Sequence, residues 1–172
     1  APTMWRIWDS KAKGTNGGNA PSSVYIIRDL NTITSAGPNI NNVQIGGLIP
    51  LNRFRVKPGT YYITAQAPAY SVDEHRAYLF QGSGGAGTGV LTIAGTNAFS
   101  PIPTSIFLGP TIFSSMTNST LHGWFTVPAG PDLDFRIDHW TDDARVGDGL
   151  GRAVGIELAD PNLFEIYTEV SI

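Results

Sequence analysis

The chain has 172 residues and no cysteine, which excludes a disulfide framework, a thiolate metal centre and a cysteine nucleophile. Charge is scarce as well. Charged residues make up 15% of the sequence, and 11 Lys and Arg against 14 Asp and Glu leave a formal charge of −3. Sequence-independent binding to nucleic acid needs clustered cations that neutralise phosphates, so no nucleic-acid partner is expected. No apolar run approaches the roughly 20 residues of a membrane-spanning helix, and the N-terminus lacks the basic-then-apolar form of a secretory signal. Membrane insertion is therefore not expected, and the Ala1-Pro2 start suggests a trimmed or excised chain. Catalytic motifs are also missing. There is no G-x-S-x-G elbow, and His75, His122 and His139 show no H-x-x-x-H or H-x-H spacing that would suit zinc. The run GSGGAGTG (82–89) has glycines at G-x-G spacing but neither a Lys-Ser/Thr ending nor a helical pattern after it. It reads as a flexible loop. No enzymatic activity, cofactor or metal is expected.

What is abundant is Gly and Pro, 20 and 12 residues, the punctuation of many short strands. The length suits one domain with a substantial core. Period-two alternation is clearest over residues 54–80, where Tyr61, Ile63, Ala65 and Ala67 oppose Thr60, Tyr62, Thr64 and Gln66, and Ala77 and Leu79 oppose Arg76, Tyr78 and Phe80. That stretch reads as a hairpin entered through the Pro58-Gly59 turn. Further strands are expected at 4–9 (an edge strand), 23–30, around Ile40, at 43–45, 90–94, 134–140 and 164–172, with a tight hairpin of 111–116 and 119–127 about Thr117-Asn118. Residues 10–23 read as a long mobile or functional loop, and 98–110 as an extended, proline-interrupted connection. About eight to ten strands without a helix imply an all-β, antiparallel two-sheet jelly-roll sandwich. Residues 1–23 form an N-terminal segment and flexible loop, and 24–172 the jelly-roll domain.

Two surfaces stand out. Tyr62, Tyr78, Phe80, Trp124 and Tyr167 all fall opposite the expected core face. A row of rings of that size left in water implies a covering, either by loops or by another subunit, and a subunit interface is the expectation. The second is 138–148, DHWTDDARVGD. There Trp140, with Asp142, Asp143, Arg145 and Asp148, suits sugar recognition, with a ring face for stacking and charged groups for hydroxyls. The spacing of its carboxylates does not meet that of a calcium loop.

The order of R-D-L-N-T (28–32), P-G-T-Y-Y-I-T-A-Q-A-P-A (58–69), H-R-A-Y-L (75–79), L-H-G-W-F-T-V (121–127), G-L-G-R-A (149–153) and E-I-Y-T-E-V-S-I (165–172) resembles the C1q/TNF-like jelly-roll domains of bacteriophage tail-fibre tips and related viral structural proteins. The resemblance implies a homotrimer whose inner sheets face a threefold axis, with the 59–65 strand and the final strand near its centre. It also implies a non-enzymatic role in the virion: attachment to a host surface receptor, a glycan, with other virion proteins as further partners. The alternatives are a cellular TNF-like carbohydrate-binding lectin and, below it, a sandwich-fold hydrolase.

Overall fold

A computed structural model of the chain describes residues 4–36, 43–45, 52–100, 115–153 and 164–172. Its strands are β1 (Met4–Ala12), β2 (Val24–Ile27), β3 (Thr32–Ala36), β4 (Val43–Ile45), β5 (Phe54–Val56), β6 (Gly59–Tyr70), β7 (Asp73–Gln81), β8 (Val90–Ala94), β9 (Ala98–Ser100), β10 (Met116–Val127), β11 (Leu133–Thr141) and β12 (Phe164–Ser171). Every pairing is antiparallel. One sheet runs β10-β6-β12-β1-β3 and the other β4-β5-β11-β7-β8, with β2 added on β11 and β9 on β7. The expected two-sheet antiparallel jelly roll is what forms, and among the described residues no helix is long and apolar enough to cross a membrane.

The core is the meeting of the inward rows. Ile63, Ala65 and Ala67 of β6, Leu121, Phe125 and Val127 of β10, Trp5 and Ile7 of β1, and Val170 of β12 face Phe54, Val56, Ala77, Leu79, Phe135 and Ile137 from the second sheet. The Phe125 and Phe135 rings bridge the sheets with centroids 4.8 Å apart, and Phe54 stacks on Phe135 at 6.0 Å. Burying side chains of this kind stabilises by about 1.5–3 kcal/mol each before entropy is counted.

Several local expectations are corrected. The 54–80 stretch is not a hairpin: β6 and β7 belong to different sheets, and the chain crosses between them at Ser71–Asp73, where Ser71 and Asp73 hold φ of 53° and 61°. No Gly or Pro marks that crossing. Thr117-Asn118 is not a turn, because β10 runs unbroken against all twelve residues of β6, from Val127 opposite Gly59 to Met116 opposite Tyr70. Its polar residues occupy mainly the outward positions, where period two allows them. β1 is not an edge strand; it lies between β12 and β3 because Trp5 and Ile7 belong to the core. The segment set apart as 1–23 thus supplies an interior strand, and its loop is tied down through Gly17 N–H to Gly151 O (2.7 Å) and a reciprocal Ala20–Arg145 pair (2.9 and 2.8 Å). The expected strands around Ile40 and over 111–114 lie outside the described residues.

Candidate binding surfaces

On the outer face of the five-stranded sheet, Tyr62 and Trp124 are directly opposed neighbours of β6 and β10. Their ring centroids are 5.1 Å apart, yet Tyr62 is 43% and Trp124 71% exposed. Clefts of about 370 and 450 Å³ lie on either side of Tyr62. Around the rings stand Thr60, Thr64, Gln66, Thr120 and His122 from the same strands. Arg6 and Glu169 on this sheet are bonded to each other at 2.5 Å, which leaves the face nearly neutral.

The outer face of the other sheet carries Tyr25, Tyr78 and Phe80, whose rings meet edge to face at 5.4 and 5.9 Å. Here the chain itself covers Phe80, while Tyr25 stays 37% exposed. The Arg136 guanidinium donates to the carbonyls of Gly82 (2.9 Å), Gly85 (2.7 Å) and Thr88 and to Asp138 Oδ1 (2.8 Å), and Gly87 N–H donates to Asp138 Oδ2 (2.7 Å). Arg136 and Asp138 are both fully buried. Burial pushes the Asp138 carboxyl up, against the opposing pull of Arg136. Loop 82–89, expected to be flexible, is instead laced over Phe80, because its glycines leave backbone carbonyls free to approach the guanidinium. Phe80 is only 6% exposed.

The five aromatics expected to share one interface therefore separate. Tyr62 and Trp124 are together and open, whereas Tyr78 and Phe80 lie on the opposite sheet. Tyr167 is buried, its hydroxyl donating to Thr15 O at 2.6 Å and its ring against Gly151, where an added Cβ would come within 2.3 Å. Burial pushes the Tyr167 phenol up to about 12.

The expected sugar-binding cluster separates too. Trp140 belongs to β11, where it pairs with Tyr25 and Arg76. With Glu74, Arg76, Tyr78 and Asn97 it lines a cleft of about 80 Å³. Arg76 is anchored by a 2.6 Å bond from Nε to Gly95 O and lies 5.4 Å from the Tyr78 ring centroid. Glu74 and Asn97 are exposed and make no side-chain hydrogen bond among the described residues. Asp142 and Asp143 bring their carboxylates near that of Asp73, all within 4.8 Å, and nothing else around them points to a ligand. Arg145 and Asp148 bind each other at 2.7 Å, and Arg145 lies over Tyr70. They hold their own loop.

Sequence reasoning missed a buried polar cluster as well. His75 and His139, 64 positions apart, meet in the core at 2.9 Å beside the fully buried Arg28. The only available signal was their inward phase on β7 and β11, shared with Leu79 and Ile137. Both rings are sealed from solvent, where no substrate reaches them.

No protein-family model matches the chain. No curated protein matches it either. Among solved structures, the crystal structure of murine APRIL at pH 8.5 aligns over 98% of this chain and 97% of that one, with a TM-score of 0.43 and 9% identity. The architecture assigned above rests on strand order and pairing.

Proposed function

We propose that three copies of this chain associate through their five-stranded sheets into a non-enzymatic attachment domain of a virus particle, a fibre tip or a similar projection, which holds a host-surface saccharide in the Trp140 cleft. The observation that carries this reading is the uncovered Tyr62–Trp124 face. Rings of this size bury about 150–250 Å² each when covered. The occupant is further copies of the chain, because the face is nearly neutral and copies of it do not repel. The count of three and the virion setting are supported by the motif order that resembles fibre-tip domains.

The cleft supplies the ligand chemistry. The Trp140 ring offers a face to the C–H groups of a sugar, Arg76 donates, Glu74 accepts and Asn97 does both. A cleft this shallow binds weakly alone, so display of three on one body supplies the avidity. Sedimentation and light scattering are expected to give the mass of three chains; a strict monomer at every concentration would remove the assembly. The assembled chain is expected to bind oligosaccharides on a glycan array and to lose that binding in Trp140→Ala while the variant stays folded and keeps its assembled mass. Equal binding by the variant would place the ligand elsewhere, and an array that stays dark would remove the saccharide.

A further inference from the structure

Arg28, just past the end of β2, runs its guanidinium into the interior between the sheets. Nε donates to Thr168 Oγ1 of β12 (2.6 Å), Nη1 to Pro68 O of β6 (3.2 Å) and Nη2 to Leu150 O (2.8 Å). Nη1 also lies 3.5 Å from His139 Nδ1 of β11. Then His139 Nε2 meets His75 Nδ1 at 2.9 Å, and His75 Nε2 meets Thr117 Oγ1 of β10 at 2.8 Å. These contacts join strands of both sheets and the loop that carries Leu150.

The directions along this row follow from one end. A guanidinium only donates, so His139 Nδ1 accepts and its proton sits on Nε2. That proton points at His75 Nδ1, which accepts in turn and leaves the His75 proton on Nε2, facing Thr117. One arrangement satisfies every contact, and in it both imidazoles are neutral. A proton added at His139 Nδ1 would face the N–H groups of Arg28, and one at His75 Nδ1 would face the N–H of His139. Either places two donors and two positive charges against each other inside the core.

We propose that this row is an acid-sensitive clasp: neutral, it holds the two sheets and the Leu150 loop together, and protonation of His139 sets it against Arg28 and releases that loop. The charged groups around the row do not offset the added charge. Among the described residues no carboxylate contacts either imidazole. Asp9 of β1 and Asp29 act on Arg28 at longer range, as does Tyr167 of β12. Asp9 is pushed up by its burial, so it gives up charge earlier than an exposed carboxylate as the pH falls. Thr117, Thr168, Pro68 O and Leu150 O bring no charge. Arg28 is pushed down by burial, to about 10, and stays cationic throughout.

Burial, and then Arg28, lower His75 to about 4 and His139 well below 6.5. An opened state with ordinary imidazoles takes up protons below about pH 6.5, whereas the closed state does not. Stability is therefore complete above about 6.5 and falls as the pH drops toward 4. Each imidazole raises the opening constant by up to about tenfold per pH unit within that window.

The test is hydrogen exchange on the full chain, followed at the amides of Leu150, bonded to Gly18 O, and Tyr70, bonded to Gly149 O, with rates corrected for their intrinsic pH dependence. Between about pH 6.5 and 4.5 the protection of both is expected to fall by up to about 100-fold per unit. His139→Gln keeps an acceptor for Arg28 and a donor for His75 but cannot titrate, and it is expected to reduce the fall to tenfold per unit or less. Protection that stays level across the window, or that falls equally steeply in His139→Gln, overturns the clasp. Should that variant not fold, the imidazole carbon shifts of His75 and His139 decide, identified by difference from His122→Ala. They are expected to stay those of neutral rings until the loop opens, and ordinary titration near 6.5 in the closed protein would overturn it as well. Neither arm depends on the saccharide or on the count of chains.

Discussion

The two sheets both carry aromatic rings on their outer faces, and the chain treats them in opposite ways. Over the seven-stranded sheet it folds loop 82–89 back and pins it with Arg136, so that Phe80 is nearly sealed. Over the five-stranded sheet nothing in the described chain comes down on Trp124, which stays 71% exposed beside a half-open Tyr62. Aromatic rings in the outward phase of a strand are therefore not in themselves a mark of an interface. What distinguishes the two faces is whether the chain supplies its own cover.

The contrast is broken most severely at Arg136. Arg136→Ala removes the cation from a fully buried pair and leaves the Asp138 carboxylate with the Gly87 N–H as its remaining bond, along with the freed carbonyls of Gly82 and Gly85. Breaking a buried pair from one side costs about 3–5 kcal/mol. At about 2–4 °C per kcal/mol for a chain of this size, the melting midpoint is expected to fall by on the order of 10 °C in calorimetry. The double substitution Arg136→Met with Asp138→Leu is expected to cost less than the single one, because no charge is then left buried alone. A melt within a degree of the native one for Arg136→Ala would mean that loop 82–89 does not depend on the pair.

A smaller effect is expected from Gly87→Ala. Gly87 holds φ of 71°, and an added Cβ would come within 2.6 Å of the Tyr25 ring. The left-handed backbone costs a side chain about 1–2 kcal/mol, and the close approach to Tyr25 adds to that. Urea unfolding is expected to show a loss of about 1–3 kcal/mol. If the substitution is neutral, Tyr25 has room to move and the cover is looser than its bonds suggest.

How far this contrast was legible in the sequence follows from what side chains can encode. The inward and outward rows of β6 were, since Ile63, Ala65 and Ala67 alternate with Thr60, Tyr62 and Thr64, and that alternation carried the fold class. The sheet to which each strand belongs was not. Ser71 and Asp73 are ordinary turn residues and period-two alternation runs on either side of them, which does not tell a pairing turn from a crossing, so β6 and β7 read as one hairpin. Nor was the cover on the second sheet, because a glycine-rich loop carries no pattern, and Arg136 and Asp138 sit in the outward phase where charge usually means water. His75 and His139 meet only because β7 and β11 pair with His139 opposite Ala77 and Thr141 opposite His75, a register no local pattern announces. The polar loop was legible only as a cluster of residue types. Trp140 sits on a strand, and Arg145 and Asp148 bond to each other at 2.7 Å, a pairing that the spacing does not announce.

The change with least effect on the chain's own stability is Tyr62→Asp, and it is the one aimed at the open face. Tyr62 is half exposed and packs mainly on Trp124, and its Oη bonds to nothing among the described residues. Replacing it forfeits one ring contact worth about 0.5–1.5 kcal/mol. In an assembly the same change places three carboxylates in an apolar contact around one axis, where each is desolvated and repels the others. The expected outcome is a folded monomer: light scattering drops from the mass of three chains to that of one, while the strand signal in circular dichroism holds and the unfolding midpoint of the separated chain falls by only a few degrees, about 2–4 °C per kcal/mol lost. A trimer that persists in Tyr62→Asp would mean that copies meet elsewhere, and the open aromatic face would then need a different occupant.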